Sequence, residues 1–252
     1  MGDVTSPAGD GREHGVALEV ELRDALASGN GLTVAYRPVI NVVTRRVLTL
    51  EAVPCWSPHG DGPVDAGALV DVAGRAGVLA ALELGALAAG LAEVEARRLR
   101  EPALFLAVDM SAGTLTSEGC LDRVRERLAQ RHIPARAVVI EVAEETLVSP
   151  AAAQVLQELR REGFQIALDH YGRGATSLLP LMTGAADVVK IDRLLLRAAA
   201  HGDHGAETVL RLVARAGGEL GITVICDGVD TGEDRSVARA LGFQLVQGRL
   251  AG

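Results

Sequence analysis

Cysteine is scarce in this chain: only Cys55, Cys120 and Cys226 occur in 252 residues. Their odd number and their spacings fit no zinc or dithiol pattern, which excludes a disulfide framework and a cysteine-based metal site. They are expected to be reduced packing residues in a cytoplasmic protein. A membrane-length apolar run is also missing. The longest, Ala76 to Ala92, is interrupted by Glu83 and by glycines, and falls short of the ~20 residues that span a bilayer. Nor is there an excess of positive charge: Lys plus Arg is 25 against 33 for Asp plus Glu, a formal net charge of −8. That balance excludes sequence-independent binding to nucleic acid or to an anionic membrane. The opening "MGDVTSPAGDGREHG" has no signal-peptide core, although Gly2 and Ser6 fit the loose myristoylation pattern, in which Asp3 sits poorly. Residues 1–14 are expected to form a disordered tail and residues 15–252 a single domain, since no linker, repeat or low-complexity stretch divides them.

What the chain does have is apolar content, 48% of residues, enough for a sizeable core. After an amphipathic helix expected over Val16 to Ser28, short aliphatic runs alternate with helix-length segments. The runs begin at Leu32, Val47, Ala103, Ala137, Phe164, Ala186, Gly221 and Phe243. The segment "PAAAQVLQELRREG" illustrates the helices, with Ser149 as N-cap and Gly163 closing the end. Strands apolar on both faces and alternating with helices indicate a parallel sheet covered by helices. Eight such units in one chain predict an α/β fold, a single TIM-like (β/α)8 barrel.

In a barrel the C-terminal strand ends converge on one mouth. Glu51, Asp109, Glu141, Asp169 with His170, Lys190 with Asp192, Asp227 and Gln247 all fall at or beside those expected ends. Several carboxylates aimed into one cup repel and raise one another's pKa unless cations neutralise them, and an oxygen-rich set suits Mg²⁺ or Mn²⁺. Glu51, Asp109, Glu141, Asp169 and His170 are the expected metal ligands. Lys190 is suited to orienting or deprotonating water, or to serving as a structural ion-pair partner. Taken singly, Asp192 and Asp230 read as helix caps or solvated loop charges, and His170 reads more readily as a hydrogen-bonded residue than as a ligand.

The ordered segments "YRPVI", "LEAV", "AVDMS", "IEVAEETL", "ALDHYGRGATSL", "DVVKID", "VICDGVD" and "VQGRL" resemble the EAL-type cyclic di-GMP phosphodiesterase domain over roughly Leu22 to Leu250. The resemblance implies a barrel that opens cyclic di-GMP to the linear dinucleotide with two Mg²⁺ or Mn²⁺ ions. Glu51, Glu141 and Asp169 match first-metal ligands of the family. Lys190 matches the lysine that holds the attacking water, Glu144 an acid that braces the active-site loop, and Gln247 the glutamine of the "QG" segment. Lys190, Glu51 and Asp227 are thereby the expected catalytic residues, and Arg37, Gln247 and Glu144 the expected ligand-holding ones.

The departures from the family pattern bear on activity. Asp109 stands for an asparagine, His170 for the second aspartate of "DDFG", and Asp227 for a longer glutamate near the second metal. Cys55 stands where the family has a phosphate-contacting arginine. Arg37, replacing a glutamine, is expected to reach that phosphate instead. Arg173, Ala175 and Arg249 change the loop and the final segment. The expectation is a degenerate member that binds cyclic di-GMP with weak or no hydrolysis, its first metal site kept and its second doubtful. The alternatives are an active phosphodiesterase and a protein-interaction domain without nucleotide. A protein partner and a homodimer are left open.

Overall fold

A computed structural model describes residues 10–58, 62–173 and 184–249. Gly2, Ser6, Ala175 and residues 1–9 of the expected tail lie outside the described residues. In chain order the elements are α1 (Asp10–Ser28), β1 (Leu32–Asn41), β2 (Val47–Trp56), α2 (Ala66–Arg75), α3 (Leu79–Arg98), β3 (Phe105–Asp109), α4 (Ala112–Leu115), α5 (Cys120–Gln130), β4 (Val138–Val142), α6 (Glu144–Val148), α7 (Pro150–Arg161), β5 (Gln165–Tyr171), β6 (Val188–Ile191), α8 (Arg193–Ala200), α9 (His204–Leu220), β7 (Thr223–Cys226), α10 (Gly232–Ala240) and β8 (Leu245–Gln247). The strands close in sequence order into one eight-stranded barrel, as expected. The first helix begins at Asp10, ahead of the Val16 start read from its periodicity.

One feature departs from the expected all-parallel sheet. β1 runs antiparallel to both β2 and β8, while the remaining neighbours pair in parallel. The reason is legible in the connection. Only Val42 to Arg46 separate β1 from β2, and a parallel crossover needs a dozen or more residues. The short turn is held by Asn41, whose side-chain oxygen accepts from the amides of Val43 and Thr44 at 3.0 and 2.9 Å.

The alternation of side chains along the strands builds the interior. Val39, Ala107, Val139, Ala167, Val188 and Ile225 form one buried layer inside the barrel, with Phe105 and Leu245 packed against it. Opposite strand faces carry Leu50, Leu106, Val108, Val138, Ile140 and Ile166 outward against the helical shell, and Val189, Cys226 and Val246 do the same on the other side. Cys120 and Cys226 are buried free thiols, and Cys55 is half-buried and also free, consistent with the packing role. Helix α3 approaches the sheet so closely at Gly90 that a Cβ there would lie 2.6 Å from Leu106 Cδ1 and 3.0 Å from Ala52 Cβ. Trp56, 2% exposed, seals one end against Leu22 of α1 and Leu69 of α2.

The helix ends follow their sequence signals. Asp65, Asp203 and Asp192 cap α2, α9 and α8 by accepting backbone amides, and Thr231 with Asp234 forms a capping box on α10. Ser149 occupies the N-cap position of α7 with Pro150 at N1, but its side chain makes no capping bond. Gly163, at φ +102, follows the helix end. Among the described residues no helix is long and apolar enough to cross a membrane.

Candidate metal centre

The inner layer determines what stands above it. A strand repeats its facing every two residues. Two positions beyond Ala107, Val139, Ala167, Val188, Ile225 and Leu245 come Asp109, Glu141, Asp169, Lys190, Asp227 and Gln247. On β1, which runs the other way, two positions before Val39 comes Arg37. Glu51, paired in register with Arg37 and with Ala107, completes the ring. Except for His170, the expected mouth residues on strands therefore follow from one buried apolar layer and its register.

Lys190 lies at the centre of the ring, 2% exposed. Its Nζ donates to Glu141 Oε2 at 2.6 Å and to Glu51 Oε2 at 3.0 Å, and lies 3.5 Å from Asp169 Oδ1. Gln247 Nε2 donates to the same Glu51 Oε2 at 2.6 Å. Arg37 places one guanidinium nitrogen 3.3 Å from Glu51 Oε1 and another 3.3 Å from Asp227 Oδ1. Gly248, at φ +149, lets the end of β8 press against the Val229 backbone, where a Cβ would lie 2.3 Å from the carbonyl oxygen.

Burial depresses the Lys190 pKa, but Glu141, Glu51 and Asp169 outweigh it and hold the ammonium well above its ordinary value. Burial also raises Glu51 and Asp169. There Lys190 prevails, helped by Arg37 at Glu51 and by His170 at Asp169, so both carboxyls sit below their ordinary values. At Glu141 burial dominates and the carboxyl is raised well above the usual range. Asp109 is open to solvent as a residue, yet neighbouring protein crowds its carboxyl. Burial and then Glu51 push it up to about 7, against the pull of Lys190.

Glu51, Asp109 and Glu141 each offer an oxygen such that these atoms lie within 4.8 Å of one another. An all-carboxylate trio fits a hard divalent ion such as Mg²⁺ or Mn²⁺. The crowding has a measurable consequence. Asp109 binds its proton more tightly in the folded state than at its ordinary pKa of 3.8, so stability is lost as pH rises from about 4 to above 7. Asp109→Asn removes that loss. Without metal its thermal midpoint is expected to exceed that of the parent at pH 8 and to match it at pH 4; equal midpoints at both pH values would refute the crowding argument.

Asp169 and His170 occupy a β-bulge. Pairing of β5 with β6 shifts register between Leu168 and Tyr171, and His170 sits at φ +55. The bulge keeps Asp169 beside Lys190 and turns His170 to a 53% exposed position, its Nε2 3.3 Å from Asp169 Oδ2 and its Nδ1 3.3 Å from Asp192 Oδ2. Asp192 itself is the N-cap of α8, accepting from Leu194 at 2.8 Å, as read from sequence. Glu144 opens α6 directly after β4, and its charge is among the influences that raise Tyr171. Cys55 lies on the same strand face as Glu51, nearer the rim, with Sγ 3.6 Å from the Val53 carbonyl oxygen.

Two groups of residues at the mouth escaped the sequence reading. Glu83, read only as an interruption of an apolar run, is 7% exposed and accepts from the Ser111 amide at 3.0 Å and hydroxyl at 3.2 Å. It thereby anchors the turn that follows Asp109. Its signal was a lone acid inside an apolar helix, which must find a partner. Arg193 and Arg197, with Arg249 and Arg37, line a cleft of about 560 Å³ at the mouth that also includes Asp230. Asp230 accepts from the Arg249 amide at 3.0 Å, tying this wall to the end of β8.

An eight-stranded α/β barrel with a lysine-braced carboxylate ring at its mouth defines the class of protein. The EAL domain family model matches residues 19–252, and the chain belongs to the EAL domain family. It is 31% identical over 239 residues to protein Rv1357c of Mycobacterium tuberculosis, covering 92% of this chain and 77% of that one. The structure of the Pseudomonas aeruginosa MucR phosphodiesterase in complex with c-di-GMP superposes with a TM-score of 0.85 at 24% identity, covering 94% of this chain and 96% of that one. The Klebsiella pneumoniae BlrP1 manganese/c-di-GMP complex at pH 9.0 superposes with a TM-score of 0.75 at 26% identity, covering 88% and 55%. The chain spans only 28 to 34% of the length of several longer relatives.

Proposed function

We propose that this chain binds cyclic di-GMP across the barrel mouth with the help of one divalent ion, Mg²⁺ or Mn²⁺, and hydrolyses it slowly or not at all. The observation that carries the reading is the Glu51, Asp109 and Glu141 trio, within 4.8 Å, with Asp169 beside Lys190. Relatives' structures contain c-di-GMP and manganese at 26% identity. These carboxylates would hold the ion, which supplies charge to neutralise and polarise a phosphoryl oxygen. Lys190 fixes Glu51 and Glu141, Gln247 fixes Glu51, and Glu144 stands at the start of the adjacent α6 loop. The second position is weak: His170 brings no negative charge and has an acid at each ring nitrogen, and Asp227 is a short side chain.

Calorimetric titration with cyclic di-GMP, with and without Mn²⁺, tests the reading. The expected result is nucleotide binding that strengthens with Mn²⁺, while Glu141→Gln weakens Mn²⁺ binding by at least ~10-fold, since even groups behind a ligand commonly cost that much. Nucleotide binding indifferent to Mn²⁺ would refute the metal's part, and no nucleotide binding would favour a protein-interaction role. Lys190 standing in hydrogen bonds to two acids is what favours the second reading, an active phosphodiesterase. Linear dinucleotide appearing at enzymatic rates on chromatography would establish that one.

A further inference from the structure

We propose that the Arg37 guanidinium is a tethered cation that takes the place of a second divalent ion in the mouth, so that this chain holds one ion. The inference rests on the reading of the mouth as a divalent-cation site and adds a residue that sets its stoichiometry. Glu51 divides its two oxygens. Oε2 is held by Lys190 at 3.0 Å and Gln247 at 2.6 Å, and Oε1 faces Arg37 at 3.3 Å. Arg37 spans from there to Asp227 on the far side, again at 3.3 Å. It is the nearest cation to Asp227 among the described ion pairs, and it bridges β2 to the end of β7 across the antiparallel β1 strand.

The position of the charges, rather than their sum, points the same way. Among the described residues the ring carries five carboxylates, Glu51, Asp109, Glu141, Asp169 and Asp227, and two cations, Lys190 and Arg37. With every carboxylate ionised the ring sums to −3, so one divalent ion leaves −1 and two leave +1, and the net charge alone does not choose between them. A second beside Asp227 would meet a guanidinium that cannot shed its proton. Like charges that close repel strongly at the effective dielectric of a protein surface, and the more so when one of them is divalent. Burial works against the Arg37 charge, but Glu51 and Asp227 outweigh it. Arg37 also stays 45% exposed, so its side chain is not needed to fill the core.

The test is a Mn²⁺ titration of the nucleotide-free protein, with free ion followed by electron paramagnetic resonance and heat by calorimetry. The parent and Arg37→Lys are expected to bind one ion, and Arg37→Gln two. Circular dichroism and the thermal midpoint confirm that each variant is folded, and Arg37→Lys keeps the test decisive should the glutamine variant fail to fold, because two ions in it would refute the charge argument. Two ions in the parent overturn the proposal together with the single-ion reading of the mouth, whereas one ion in a folded Arg37→Gln overturns the proposal and leaves the single-ion reading standing. No ion in either sinks both. If Arg37 instead holds a phosphate, Arg37→Gln loses affinity for cyclic di-GMP while its Mn²⁺ stoichiometry stays unchanged, which also overturns the proposal.

Discussion

Replacing Lys190 by methionine is expected to destabilise the metal-free protein by about 3 kcal/mol or more at pH 8, and by much less at pH 5. The ammonium is 2% exposed and is the shared partner of Glu51, Glu141 and, more distantly, Asp169. Removing one member of a buried ion pair leaves uncompensated charge, which costs about 3 to 5 kcal/mol. The sign of the pH dependence follows from linkage. In the parent, Lys190 has its pKa raised, so its contribution is complete below the ordinary lysine value and is lost only as pH rises through the folded one. In the variant, the carboxyls lose the group that opposed their burial. Their folded pKa values rise, the folded state binds more protons than the unfolded chain, and stability falls as pH increases.

Mn²⁺ is expected to restore much of the loss, because an ion at ~100 times its dissociation constant contributes about 2.7 kcal/mol. Denaturant unfolding at the two pH values, with and without Mn²⁺, gives the answer. A loss that is the same at pH 5 and pH 8, and untouched by Mn²⁺, would make Lys190 a packing residue rather than the counter-charge of the ring.

The barrel was readable because its signal is repeated. Eight aliphatic runs, each followed by a helix-length stretch or a tight turn, leave little choice of topology, and β1 and β2 begin at the expected Leu32 and Val47. The later strands begin one or two residues after the expected positions, since apolar residues such as Ala137 and Phe164 lead into a strand without joining its ladder. The antiparallel β1 was overlooked although the five-residue turn after Asn41 forbids a crossover. The ring of acids was readable for a different reason: chemistry repeats at strand ends, and period-two alternation above an apolar layer projects it inward. What periodicity cannot show is an interruption of itself. The bulge at Asp169 and His170 depends on which residue adopts φ +55, and the pairing of Arg37 with Asp227 joins positions 190 residues apart. No local pattern encodes either.

These long-range pairings converge on one last expected result. Arg37→Gln, His170→Asp and Asp227→Glu together are expected to raise Mn²⁺-dependent cleavage of cyclic di-GMP by ~10²-fold, which corresponds to about 2.7 kcal/mol of barrier. Each change addresses a separate defect. Arg37→Gln releases Asp227 from the guanidinium. Asp227→Glu extends the carboxylate by one methylene, which matters where ligand geometry tolerates about 0.5 Å of error. His170→Asp adds a negative charge beside Asp169, and the φ of +55 does not forbid it, because aspartate is among the residues that adopt this conformation. No single change need reach the full effect, since groups that act as a unit are not additive. Product chromatography and Mn²⁺ stoichiometry are read on the parent, the three single variants and the triple. A parent that already turns over as fast as the triple variant makes His170 a working ligand and the protein an active enzyme. A triple variant that binds two ions and still makes no linear product moves the block to the rim, where the Cys55 thiol lies over the Val53 carbonyl and offers a phosphate no charge.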